Sequence, residues 1–344
     1  VANTYEAFPE TIYPNVGFVV FKSVVTDDTN GSDIALCPQG SGCLYNDSYS
    51  YLFANYDARS DDNRLIQTVE TDYDQSDIAR YAQTWTHYYY DNFLHQQVTR
   101  IFTVNSLGDT IKIIKKYPQD FATTAPYNTM ISLNNVNKVV QEQKLDNNTQ
   151  LTLQTNNYLD KGNGNYLPDN ITYQIAANPP ETRANFNSYD QRGNILEMQK
   201  TNDVKQSLIW DYRKQFPVAE VLNAGQDQIA YTSFEADGNG NWSISDQARS
   251  PEGLTGNQSF VLKPGNSINY YFNSAGFNFI LSYWSKDGPV NINGVTLVST
   301  TTGPSKNGWT YYEHIISAST GNGVSLTANS ANTIDALRLY PATA

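Results

Sequence analysis

Few residues in this chain have the types and spacing that chemistry asks for. There are three histidines, His87 in "WTHYYY", His95 in "FLHQQ" and His314 in "YYEHII", and none has a partner at metal-ligand spacing. Carboxylates come in close pairs, Asp27 with Asp28, Asp61 with Asp62 and Glu70 with Asp72, as a glycosidase would need, but they sit in polar turn segments. No nucleophile elbow, Walker loop or dinucleotide fingerprint occurs, and neither "GNGN" at 162 nor at 238 opens a helix that could cradle phosphate. An enzyme is therefore not expected, with a hydrolase as the last alternative. Cys37 and Cys43, in "LCPQGSGCL", flank a Pro-Gln-Gly-Ser-Gly turn. That turn brings the sulfurs near enough for a disulfide, with two free thiols as the other reading; two cysteines with no nearby histidine make only half a zinc site.

The elements that must position these residues are strands. Tyr (25) and Phe (14) are abundant, Met (2) is nearly absent and charged residues make up 16 %. Thr, Tyr, Gly, Asn and Asp between short apolar runs describe strands and turns. "VGFVVFKSVV", "SYSYLFANYD", "RLIQTVETDY", "QQVTRIFTVN" and "TIKIIKKYP" read as successive strands, and "SLGD" before the last is a turn of hairpin size. Only Pro126–Lys144 has helical spacing, at Met130, Val136, Val139 and Val140, enough for a turn or two. Near Gly225 the chain becomes richer in Gly and Ser and poorer in Lys. Seven or eight short strands in the last ~115 residues suggest a β-sandwich. The expectation is an all-β chain of two parts, 1–225 an antiparallel sheet region and 226–344 a sandwich.

The net charge of −12 and the lack of a basic stripe argue against nucleic acid. No apolar run is long enough to span a membrane. The first residues, "VANTYEAFPETIYPNVGFVVF", have no basic segment followed by an apolar one, and the last strand stops at "LRLYPATA". The chain is expected to be a mature fragment or a segment of a longer polypeptide, whose neighbouring segments would be its partners.

One stretch repeats a rhythm. "NSYDQRGNILEMQK", residues 187–200, sets Tyr189 and Asp190 before a Gly193-Asn194 turn and the apolar Ile195 and Leu196. An imperfect second copy, "VNSLGDTIKIIKKY", carries Gly108, Asp109, Ile111 and Tyr117. Gly193 suits a positive φ, Asp190 the turn amides, and Tyr189 a neighbouring hairpin, so the residues themselves point to turn-holding. The pattern resembles the YD repeat of the Rhs family. With "KKYPQDF", "NDVKQSLIWDYRKQFPVAEVLNA" and "GWTYYEHIIS…IDALRLYP", the likeness extends to surface YD-repeat proteins of the Bacteroidetes type over most of 65–344. That resemblance implies β-sheet shells and a secreted or cell-surface location. The chain departs from it in carrying about two recognisable repeats and no effector-like end.

"SFEADGNGNW", followed by "FILSYWSK", "GWTYYEH" and "TIDALRLYP", is similar to the galactose-binding-like jelly rolls that include many carbohydrate-binding modules. The resemblance implies a structural calcium where first and last strands meet, held by Glu235 and Asp335 with Asp237 one strand-step away and carbonyls of "ADGNGN" completing the roughly six to eight oxygens calcium takes. The alternative is that these carboxylates cap turns or pair with lysine. A glycan partner would need an exposed aromatic. Alternation puts Trp284 on the face opposite Phe279, Leu281 and Tyr283. Trp284, Tyr312 and His314 are the candidate ligand residues, against the reading that they are core, and Trp309 is expected to plug the core end. A non-catalytic glycan-binding module leads; a purely structural shell or stalk segment is the rival.

Overall fold

In the computed structural model the chain is described over residues 1–25, 48–105, 108–245, 248–273, 276–318 and 323–344, with side chains described outside 7–62. It is all-β apart from short helical turns, and divides into two compact units: Val1–Tyr89 with Ile101–Thr110, and Tyr90–Arg100 with Ile111–Ala344. Among the described residues no helix is long and apolar enough to cross a membrane. Cys37 and Cys43 lie outside the described residues, as do Asp27 and Asp28 and the side chains of Asp61 and Asp62.

The first unit is a sheet in chain order, β1 (Ala2–Val25), β2 (Ser48–Tyr73), β3 (Tyr81–Tyr89) and β4 (Arg100–Val104). β1 and β2 are long antiparallel partners, interrupted by three register shifts.

The second unit opens with a meander of eight strands, again in chain order: β5 (Thr110–Lys116), β6 (Gln141–Asp146), β7 (Thr149–Asp160), β8 (Tyr166–Ile175), β9 (Glu181–Tyr189), β10 (Ile195–Lys200), β11 (Lys205–Asp211) and β12 (Phe216–Leu222). Turn residues set its hairpins. Asn147 and Asn148 both take positive φ, 45° and 70°, in the two-residue loop that joins Asp146 to its partner Thr149. The expected helical stretch shrinks to a single α-helix, Tyr127–Ser132, after a 3₁₀ turn at Pro118–Phe121. Its buried Tyr127 and Met130 pack on Val140 and Tyr166, so Val140 joins that core from outside the helix.

A 3₁₀ turn at Gln226–Gln228 leads into eleven short strands in two sheets. One contains β13 (Ala230–Thr232), β15 (Arg249–Ser250), β16 (Ser259–Leu262), β18 (Asn278–Ser285), β20 (Thr296–Lys306), β21 (Trp309–Ser317) and β23 (Asn332–Pro341). The other contains β14 (Ser243–Ile244), β17 (Ile268–Tyr271), β19 (Asn291–Asn293) and β22 (Gly323–Thr327). The larger sheet runs in the order β15-β16-β23-β18-β21-β20 with β13 also on β23, the smaller β14-β17-β22-β19. One core lies between them, with Phe234, Phe260, Leu262, Ile268, Phe279, Leu281, Ile316, Leu326 and Leu337 buried from both sheets. Each such side chain contributes about 1.5–3 kcal/mol through burial. The alternation in β17 leaves Asn269 and Tyr271 pointing away from this core while Ile268 and Tyr270 enter it.

Candidate functional site

The Tyr-Asp turn is built as a support. Asp190 accepts hydrogen bonds from the Arg192 and Asn194 amides at 2.8 and 2.9 Å and from the Asn194 carboxamide at 3.1 Å, while Gly193 takes φ +87°. Burial alone would raise the Asp190 carboxyl, but these donors outweigh it and hold it below the usual carboxylate range. The Tyr189 hydroxyl donates to the Pro168 carbonyl at 2.7 Å, tying β9 to β8, and burial pushes its pKa up to about 12. In the second copy, Asn105 exchanges hydrogen bonds with Asp109 across the turn, and the buried Tyr117 donates to the Val98 carbonyl at 3.1 Å. Each of these groups hydrogen-bonds to its own turn or to a neighbouring segment, as turn-holding residues would.

The three carboxylates expected to hold calcium are placed differently. Asp335 is fully buried and accepts from the Leu254 and Thr255 amides at 2.8 and 2.9 Å; burial raises its pKa. Glu235 accepts from the Asn257 and Gln258 amides of the same segment. Together they pin residues 254–258, as turn caps would. Asp237 points elsewhere, accepting from the Arg213 amide at 2.9 Å. Among the described residues no group of three His, Cys, Asp or Glu side chains is placed to hold a metal ion. Asp335 and one oxygen of Glu235 serve backbone N–H groups of one segment, and Asp237 lies apart on the Arg213 amide, so the three do not converge as the resemblance implies.

The three expected ligand residues fall on two faces. Trp284 lies on the outer face of the larger sheet, half-buried and against Tyr311 at 5.4 Å between ring centroids. Tyr312 and His314 face the core instead, stacked on Tyr283 at 5.7 and 5.6 Å. His314 is 3 % exposed, its two ring nitrogens engaged by the Tyr283 and Thr300 hydroxyls at 3.1 and 3.0 Å, and burial lowers its pKa. The reason is the register: Tyr311 pairs with Trp284, so the next residue, Tyr312, must point to the opposite side. The three do not form one platform. Trp309 is buried, 2 % exposed beneath Lys286, but alternation puts it on the Tyr311 side of β21 and outside the core between the sheets, so it does not plug the core end as expected. His95 is buried against Tyr117, its Nδ1 accepting from the Gln97 amide, and His87 sits in β3, in no metal-binding group among the described residues.

What the tertiary structure does assemble lies where β10–β12 approach the sandwich. Asp211, at the end of β11, accepts from the Tyr212 and Gly238 amides, both at 2.8 Å, and Asp237 answers by accepting from Arg213. The two carboxyl groups are close enough to act on each other electrostatically. Burial, and then the Asp237 charge, raise Asp211, while the Arg213 amide holds Asp237 low. The two carboxyls are thereby pushed in opposite directions, Asp211 up and Asp237 down. The clamp fixes a tight turn in which Tyr212, Arg213 and Lys214 all have positive φ. It needs Gly238, since a Cβ there would stand 2.7 Å from Asp211 Oδ1.

Two grooves adjoin this clamp and share Leu196, Gln226 and Asn241. The smaller, of about 250 Å³, contains the clamp itself with Trp210, Lys214 and Asn239. The larger, of about 630 Å³, runs beside the outer face of the smaller sheet, past Asp227, Asn241, Ser243, Asn269, Tyr271 and Asn273. Tyr271 is 68 % exposed, yet its ring is held from beneath: Gly323, its partner across β17 and β22, has no side chain, and a Cβ there would meet Tyr271 Cδ1 at 3.0 Å. A supported aromatic face ringed by carboxamides, a hydroxyl and a carboxylate offers stacking plus hydrogen bonds to hydroxyls. The pattern "INYYFN" carried a usable signal, since alternation leaves one of two successive tyrosines outside; the fold had to say which. Searched against protein-family models and curated proteins, the chain matches none.

Proposed function

We propose that this chain is a non-catalytic segment of a large secreted or cell-surface YD-repeat protein of bacterial type, in which the sandwich after residue 226 is a jelly roll that binds glycan. The observation that carries the reading is the groove at Tyr271, where an exposed ring is backed by Gly323 and flanked by Asn241, Ser243, Asn269 and Asn273. Pyranose rings present C–H faces for stacking and hydroxyls for carboxamides, and this wall has both complements. The turn-holding geometry at Tyr189–Asn194 supports the YD-repeat part of the reading, with β9 and β10 as the repeat's hairpin. The non-catalytic part is supported by the Asp211–Asp237 pair. Glycosidase carboxyls face a substrate across about 5 Å or more, whereas these two are turned to backbone amides, Asp211 to those of Tyr212 and Gly238 and Asp237 to that of Arg213.

The test is a glycan array probed with the full chain, followed by calorimetry on whatever binds. Tyr271→Ala should weaken binding at least about tenfold, the loss of one stacking face and its desolvation. Trp284→Ala, on the outer face of the other sheet, should leave it unchanged. Loss with Trp284→Ala alone would move the site to that sheet, and an array with no binder would favour a purely structural shell or stalk segment.

A further inference from the structure

Resting on the glycan-binding reading, we infer that the Tyr271 groove selects uncharged oligosaccharides over anionic ones and that Asp227 sets the selection. Among the described residues, the side chains lining the groove that carry charge at neutral pH are Glu197 and Asp227, with no Lys, Arg or His among them. Glu197 is spoken for: it accepts from the Asn187 carboxamide at 2.8 Å and the Gln226 amide at 3.0 Å, and Lys205 pairs with it at 3.1 Å. Asp227 differs. Its backbone carbonyl accepts the Tyr270 hydroxyl, which fixes the residue in place, but its carboxylate makes no hydrogen bond among the described residues. An acceptor-only group held at the rim of a groove suits the hydroxyls of a neutral sugar, which can donate to both its oxygens. A uronate or sialate carboxylate at the same place brings like charge against like, with no cation among the described wall residues to offset it and a net charge of −12 behind it.

The experiment compares neutral tetrasaccharides (cellotetraose, maltotetraose, N-acetylchitotetraose) with tetragalacturonate and sialyllactose, against wild type and Asp227→Asn, at low and high salt. Wild type should bind at least one neutral probe about tenfold or more tightly than either anionic one, with the gap narrowing in high salt. Asp227→Asn, which keeps the shape and one acceptor, should bring the anionic probes to within about threefold of the neutral one. Equal binding of both classes by wild type overturns the selection and leaves the sugar-binding reading standing. A gap that survives in Asp227→Asn overturns the role of Asp227 and places the selection elsewhere. Failure of every probe to bind overturns both readings.

Discussion

At the scale of single residues, the carboxylates are the informative groups, because the same side chain does opposite things in different surroundings. Asp190 is held below its ordinary range by turn amides, so its contribution to stability is present above the unfolded-state value near 3.8 and disappears as pH falls through the lower, folded value. Asp190→Ala should cost about 1–2 kcal/mol in urea unfolding at pH 7, and less than that below pH ~3. Asp211 has the reverse sign. Its folded pKa is raised, so the neutral form is favoured in the fold; that stabilisation is complete below about 3.8 and is lost as pH rises through the folded value. Asp211→Asn retains the acceptor for the Tyr212 and Gly238 amides and gives Asp237 a donor that never ionises. We expect it to stabilise the chain by about 1 kcal/mol at pH 7–8, with the gain vanishing near pH 3.5. A pH series of unfolding curves on the two variants should diverge in opposite directions.

Among the elements, hairpins and sheet edges decide what is fixed and what is exposed. The clamp between the turn after β11 and the loop at residues 236–241 depends on the missing side chain of Gly238, and Gly238→Ala must push Asp211 aside. It should cost about 1–3 kcal/mol, whereas Gly265→Ala faces open space and tests only the backbone conformation, φ +84°. β20 is the outermost strand of the larger sheet, and Leu297 and Val298 on it are each about half exposed. Between Thr296 and Ser305 it has no charge, and only Gly303, Pro304 and Lys306 blunt its far end. Val298→Lys should therefore lower light scattering during refolding without changing the midpoint of unfolding. A fall in stability instead would mean that Val298 is packed rather than presented.

For the molecule as a whole, acidity sets the solution behaviour. With a pI near 4.6, solubility should pass through a minimum close to that pH. An ion bound at 100 times its dissociation constant would add about 2.7 kcal/mol to stability. Because Glu235 and Asp335 already serve the amides of residues 254–258, millimolar calcium or EDTA should shift the thermal midpoint by less than a degree or so. A rise of several degrees with calcium would show that the 254–258 segment rearranges to release them.

Much of this protein was fixed by local sequence. The strand and turn pattern, the all-β class, the turn held by Asp190 and Gly193, and the outward direction of Trp284 opposite Phe279, Leu281 and Tyr283 all follow from φ preferences and the two-residue period of a strand, which need no distant partner. Tertiary structure alone decided the rest. It set Asp211 against Asp237, turned Tyr312 and His314 into the core, filled Asp335 with amides from residues about eighty positions away, and laid Tyr271 over Gly323. The physical reason is that a side chain's direction is local, whereas its partner is fixed by the register and packing of segments far apart in the chain.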